Sequence, residues 1–274
     1  GVVRWLTAAA LVLGMGLSGS TIAGISNTKH NLSTSGTGTN HVTAGAGADQ
    51  ICVFCHTPHA SEQEKILRAP VAELCVSCHQ DVAKANSAAG HPHGAVTDGK
   101  SCINCHTPHG SEHAKLLAKD TIGTCLQCHA KPIVVNKEKT VPAMAQLADP
   151  ALHKHGPIQK GDCAACHGVH GADQAKLLST AYTPGFYQAY SEDAYALCFK
   201  CHDKSLAVSP SASKETGFRD GARNLHYVHI AKSPQGRSCR ACHDVHTSRF
   251  EAQIADVVVF GQWKLPINFK PTPT

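Results

Sequence analysis

CVFCHTPHASEQEKILRAPVAELCVSCH, Cys52 to His79, and CINCHTPHGSEHAKLLAKDTIGTCLQCH, Cys102 to His129, align without a gap, fifty residues apart. Each stretch opens and closes on Cys-x-x-Cys-His. The motif occurs seven times in the 274-residue chain and takes all fourteen cysteines. The pairs are Cys52/Cys55, Cys75/Cys78, Cys102/Cys105, Cys125/Cys128, Cys163/Cys166, Cys198/Cys201 and Cys239/Cys242. The histidines that follow them are His56, His79, His106, His129, His167, His202 and His243. Cys-x-x-Cys-His is the attachment signature of c-type haem. Two thiols add across the porphyrin vinyl groups, and the adjacent histidine takes one axial position on iron. Zinc ribbons, redox dithiols and disulfide frameworks also use cysteine pairs, but none requires a histidine after every second cysteine. Seven haem c groups are expected.

Composition agrees. Only 5% of residues are aromatic and 23 are glycine, too lean for a protein core of this length. Porphyrins would supply the core. The expected fold is mostly irregular, with short α-helices around the motifs, haems forming the core and almost no β-sheet. The haem-free chain should be unfolded. The formal charge of +5 is offset by two propionates per haem, giving about −9 with ferrous irons and about −2 with ferric ones. The basic chain is therefore no sign of nucleic-acid binding.

Residues 1–23 carry an apolar run from Trp5 to Leu17, then small residues, with Thr21 and Ala23 fitting a small-x-small cleavage site. This is a signal-peptide pattern. A retained anchor is the alternative, and the run is short for a membrane span. An exported protein is expected, periplasmic, extracellular or at the cell surface, with no stable span in the mature chain.

The motifs come in pairs. A third copy runs from Cys163 to His202, beginning CAACHGVHGADQAKLL and carrying a twelve-residue insertion around Tyr182, Phe186, Tyr187 and Tyr190. A fourth opens at Cys239 with CRACHDVH and then loses the pattern. The expected organisation is two pair units over 24–129, a linker over 130–150, a third unit over 151–202, a linker over 203–225 and a half unit over 226–274. Such periodicity indicates a modular array. The first motif of each unit is extended by a trailing histidine: His59, His109, His170 and His246. Upstream of each lie further histidines: His30; His91 and His93; His153 and His155; His226 and His229.

CHTPHG, a Lys-Leu-Leu stretch and then a bare Cys-x-x-Cys-His resemble the doubled-CXXCH multihaem cytochromes, a group of periplasmic carriers, outer-surface cytochromes of metal-reducing bacteria and filament-forming cytochromes. The resemblance covers nearly all of the chain beyond the leader. It implies stacked haem pairs with histidine on both faces of each iron. It also implies that the trailing histidine serves the other haem of its own unit. His59 would then serve the haem on Cys75/Cys78, His109 that on Cys125/Cys128, and His170 that on Cys198/Cys201. The upstream histidines would serve the first haems: His93, His155 and His229 those on Cys102, Cys163 and Cys239, in preference to His91, His153 and His226. HGAVTDGKSC and HGPIQKGDC match in this stretch. For the haem on Cys52/Cys55, His30 in KHNLS is preferred to His41. His113 has no equivalent in the other copies and reads as surface. His246 has no second haem to serve. At the third unit's spacing an eighth motif would begin near residue 274, so an eighth haem beyond the C-terminus is expected. Otherwise His246 is free or reaches a haem in another chain.

The only methionines are Met15 and Met144, and the 20 histidines exceed by six the fourteen that seven bis-histidine irons need. Six-coordinate irons leave no position for a substrate. The expected function is electron transfer along closely packed haems to and from redox partner proteins, not enzymatic turnover. Two other readings stay open: a reductase of oxyanions or metals, and a protomer of a filament or conduit made with identical subunits. Val257 to Thr272 reads as an extended arm, either against a neighbour or folded back on its own chain.

Overall fold

The computed structural model describes residues 24–36, 49–97, 101–135, 137, 140–182, 185–212, 214 and 216–270. The leader over 1–23 and His41 lie outside them. The described chain is mostly loop. Its longest helices, Gln80–Ala88 and Thr121–His129, have nine residues each. Strands pair only two at a time, in five antiparallel sheets among the described residues. This is the irregular, short-helix architecture expected, with slightly more pairing than foreseen.

Protein side chains provide little core. The buried hydrophobics are Leu147, Ile158, Tyr195, Ala207, Ile230, Ala241 and Ala255, three of them alanine. Order comes instead from a backbone frame repeated in every unit. Each long motif starts as one turn of 3-10 helix. The amide of the motif histidine bonds back to the first cysteine's carbonyl at 3.0 Å in all four copies: His56 to Cys52, His106 to Cys102, His167 to Cys163 and His243 to Cys239. Eleven residues on, the chain has returned and pairs with the same histidine, through the bridges His56↔Leu67, His106↔Leu117, His167↔Leu178 and His243↔Ile254. The short motifs lie on helices instead. Thr121–His129 is capped by Asp120, whose carboxylate accepts the Gly123 amide at 2.5 Å.

Neighbouring units interlock. The strand His91–Pro92 pairs with Gly171–Ala172 of the next unit. The strand His153–Lys154 pairs with Thr247–Ser248 in the same way. The third unit's insertion joins it to the fourth. The Tyr182 hydroxyl accepts the Arg240 amide at 3.3 Å. Tyr195 is fully buried and packs with Ala207 and Ile230 beside Cys239. Phe186 and Tyr187 pack at steep angles against Phe260 of a hairpin formed by Val257–Phe260 and Trp263–Pro266. Gly261, at φ 58°, sits in the hairpin turn, where a side chain would be strained. The segment beyond Val257 thus folds back on its own chain.

Tyr195 is the largest side chain in this thin core. Tyr195→Ala should cost about 3–5 kcal/mol. Tyr195→Phe, which loses only a 3.4 Å bond to the Arg237 carbonyl, should cost less than about 1 kcal/mol. Thermal unfolding of the two variants checks this.

Candidate functional site

Each long motif aims its histidine by one device. Two consecutive non-glycine residues take the left-handed conformation: Lys65 and Ile66, Lys115 and Leu116, Lys176 and Leu177, Ala252 and Gln253, with φ from 51° to 61°. Such a conformation costs roughly 1–2 kcal/mol per residue, so something must hold it. The carbonyl of the first residue of each pair accepts the Nδ1–H of the motif histidine. His56 bonds Lys65 at 2.9 Å, His106 bonds Lys115 at 2.8 Å, His167 bonds Lys176 at 3.0 Å and His243 bonds Ala252 at 2.8 Å. This fixes the tautomer and leaves the Nε2 lone pair free for a metal.

Opposite each motif histidine stands a second imidazole. Ring centroids are 6.1 Å apart for His30 and His79, 5.9 Å for His56 and His109, and 6.2 Å for His93 and His129. They are 6.3 Å apart for His106 and His170, and 6.1 Å for His155 and His202. They are 6.2 Å apart for both His167 and His246 and His226 and His243. Every motif histidine is used once, and no partner is shared. A metal–imidazole bond is about 2.0 Å and the ring centroid lies about 1.1 Å behind the nitrogen, so two histidines on one iron have centroids about 6.2 Å apart. The donor set therefore fits seven irons with two imidazoles each.

The pairing differs from the expected one in a regular way. His109 faces His56, not His129. His170 faces His106, not His202. His246, expected to be an orphan, faces His167. Each trailing histidine thus reaches back to the first motif of the preceding unit. The upstream histidines are displaced correspondingly: His30, His93 and His155 face His79, His129 and His202, the short motifs, rather than His56, His106 and His167. The reason is the interlock. The segment just before each trailing histidine also supplies a carbonyl to the upstream histidine of the preceding unit. His30 Nδ1–H donates to Pro108 O at 3.1 Å and His93 Nδ1–H to Val169 O at 2.8 Å, while His155 is bonded by the Val245 backbone. One segment thus serves both sites of the unit behind it, which a unit closed on itself could not do. The spacing does not reveal this, because a ligand to the same unit and a ligand to the previous one have the same sequence positions.

In the last unit the structure brings His226, not His229, opposite His243. The two are three residues apart on the helix Leu225–Ile230, rotated by about 300°. Asn224, 1% exposed, caps that helix by accepting the His226 amide at 3.0 Å. Its amide nitrogen binds the carbonyls of Leu206 and Ser209 at 3.1 and 2.9 Å. His226 Nδ1 is hydrogen-bonded to Thr216 Oγ1 at 2.9 Å, whereas His229 donates its Nδ1–H to Leu225 O at 2.7 Å. Burial, with His243 and His229 adding their charge, lowers the His226 pKa to about 4. Burial first, then His167, Arg240 and His155, does the same for His246. Both are kept neutral, the form in which an imidazole ligates. At the other end, His30 is held by Asn31 and Ser33, both buried. Asn31 Oδ1 accepts the Ser33 hydroxyl at 2.6 Å, and its Nδ2 donates to Ser26 O at 3.1 Å. His59 and His229 face no motif histidine among the described residues.

The cysteines set the order of the sites. Cys75 and Cys102, Cys125 and Cys163, and Cys198 and Cys239 are in hydrogen-bonding contact across the three unit boundaries. Within units, Cys55 lies near enough to Cys78, Cys105 to Cys125, and Cys166 to Cys198 and Cys201 to feel their charge. In the last motif, burial pushes the Cys242 thiol up. The seven attachment sites follow one another in sequence order.

Two expected attachment cysteines, Cys52 and Cys128, lie outside this network. Both are exposed and meet no other cysteine among the described residues, whereas Cys125, in the same motif as Cys128, is half-buried against Cys163. Cys125 and Cys128 lie on one face of the helix Thr121–His129, about a turn apart; Cys125 meets the next unit, and the Cys128 thiol, further along, is exposed. The assignment of Cys128 to haem therefore rests on its place in the motif and on the pairing of the adjacent His129 with His93, not on a contact of its own.

The family model of the doubled CXXCH motif matches residues 41–84, 93–133 and 155–207, half of the chain. The chain belongs to that family. Among curated proteins nothing matches it. It is a multihaem c-type cytochrome that binds haem covalently through its Cys-x-x-Cys-His motifs, and its work is electron transfer.

Two substitutions test the geometry. His226→Ala should turn one low-spin haem high-spin, and His229→Ala should turn none, as read by EPR. Lys176→Pro cannot adopt φ 61°, so the anchor of His167 should be lost and one haem signal altered. Lys176→Gly, which relieves the strain, should keep the spectrum and add up to about 1 kcal/mol of stability.

Proposed function

We propose that the chain carries seven haems c, each held between two histidines, and passes electrons along them in the order of the motifs. The seven imidazole pairs, all between 5.9 and 6.3 Å apart, carry this reading. When bound, haem supplies one-electron exchange between ferric and ferrous iron. The chain does the rest. Its cysteines anchor consecutive sites close together, and its loops put an imidazole on each face. Nδ1–H bonds to carbonyls make those imidazoles stronger donors and favour low potentials. The backbone carbonyls that do this are Lys65, Lys115, Lys176 and Ala252 for the long motifs. For the upstream histidines that face the short motifs they are Pro108, Val169 and Val245.

With both faces of every iron taken, substrate coordination has no place, which favours a carrier over a reductase. Reduction of soluble metal at an exposed haem edge needs no vacant ligand and remains compatible. Haem attachment and the signal-like leader support an exported setting, periplasmic or extracellular, with redox proteins as partners. Among the described residues no helix is long and apolar enough to cross a membrane.

Haem content and spin state test this together. The purified protein should hold seven haems per chain by pyridine haemochrome assay and show only low-spin ferric signals by EPR. A stable high-spin component amounting to one haem would overturn the carrier reading.

A further inference from the structure

The three internal junctions share one construction, and the first unit carries half of it with no partner among the described residues. At each junction the following unit gives three things to the unit before it, and at two of the junctions a fourth. A trailing histidine faces the first motif: His109, His170 or His246. The carbonyl just before it orients the upstream ligand. At two of the junctions the two residues just after it pair with the preceding unit's strand. The first cysteine of its long motif touches a cysteine of the preceding short motif.

In the first unit the equivalents are His59, Pro58, Ala60 with Ser61, and Cys52. The loop that presents them is built like the others. Thr57 Oγ1–H donates to Ala60 O at 2.6 Å, as Thr107 does to Gly110 O at 2.6 Å. All five residues are exposed. Their counterparts Cys102, Cys163 and Cys239 are partly covered, and Thr247 and Ser248 are buried. No imidazole faces His59 and no strand pairs with Ala60–Ser61 among the described residues.

We propose that this face docks a haem-bearing doubled-CXXCH unit carried by polypeptide outside these 274 residues, with His59 as the distal ligand to that unit's first iron. The proposal rests on the reading that the seven imidazole pairs hold irons. The three internal junctions define the occupant. It presents an iron with one histidine and an open opposite face, and beside it a histidine whose Nδ1–H bonds the Pro58 carbonyl. A second copy of this chain does not fit through its last long motif, because the open face opposite His243 is already taken by His226. Binding is a ligand exchange: water leaves the ferric iron, His59 Nε2 takes its place, and no electron moves. It would put the partner's last haem against Cys52 and extend the row of sites beyond haem one.

The test titrates the full haem-loaded chain with a ferric haem c peptide that has one histidine ligand and water on its other face. Conversion of the peptide from high to low spin is followed in the visible spectrum. The expected result is saturation at one peptide per chain, at least tenfold weaker binding in His59→Ala, and no change in His113→Ala. Equal titration of the wild type and His59→Ala would overturn the proposal. So would the appearance of a high-spin haem in His59→Ala before any peptide is added, since His59 would then serve an iron of its own chain. A haem count below seven in the untreated protein would instead overturn the underlying reading.

Discussion

Two imidazoles held about 6 Å apart by segments of neighbouring repeats are the contact on which this structure depends. A chain with seven buried hydrophobic residues among those described has little else to close around. An iron between two histidines bonds both, so each such pair ties the segments that carry them. Because His109, His170 and His246 come from the unit after the one they serve, the ties run between units. On the proposed reading the array would be crosslinked by its own cofactors, and folding and cofactor attachment would be one process, as in small metal-dependent domains.

The geometry of electron transfer follows from the same contact. The segment ending in a trailing histidine does three jobs at once. It faces the first motif of the preceding unit, its carbonyl orients the ligand to that unit's second motif, and it brings its own first cysteine against the preceding short motif. Spacing of the sites across a boundary is therefore set by one short loop, not by long-range packing. The left-handed pairs at Lys65, Lys115, Lys176 and Ala252 are the strained part of this arrangement, held by the histidine bonds they accept. The last unit departs from the scheme. There a helix fixed by Asn224 turns His226 back onto its own motif, and a hairpin packed on Phe186 and Tyr187 follows.

Much of this was legible in the sequence, and the limits are instructive. The attachment cysteines and their histidines are local, so five consecutive residues identify them. That holds even for Cys128, which has no contact in the fold to mark it. The irregular fold followed from the shortage of aromatic residues, the many glycines and the density of attachment motifs. Twelve of the fourteen histidines expected as ligands stand in imidazole pairs. Their allocation was not legible, because handing a ligand backward to the preceding unit leaves the same sequence pattern as keeping it. His226 over His229 depended on a helix rotation set by the Asn224 cap, which spacing alone does not encode. The left-handed pairs were hidden because Lys-Leu carries no glycine to mark a positive φ. The repetition of Lys-Ile or Lys-Leu nine residues after three of the motif histidines was the one available signal.

The central claim is that trailing histidines serve the unit before their own. An experimental structure of the haem-loaded protein tests it directly. The expected result is His170 bonded to the iron held by Cys102/Cys105, with His109 and His246 likewise on the irons of Cys52/Cys55 and Cys163/Cys166. His170 on the iron of Cys198/Cys201 would contradict it.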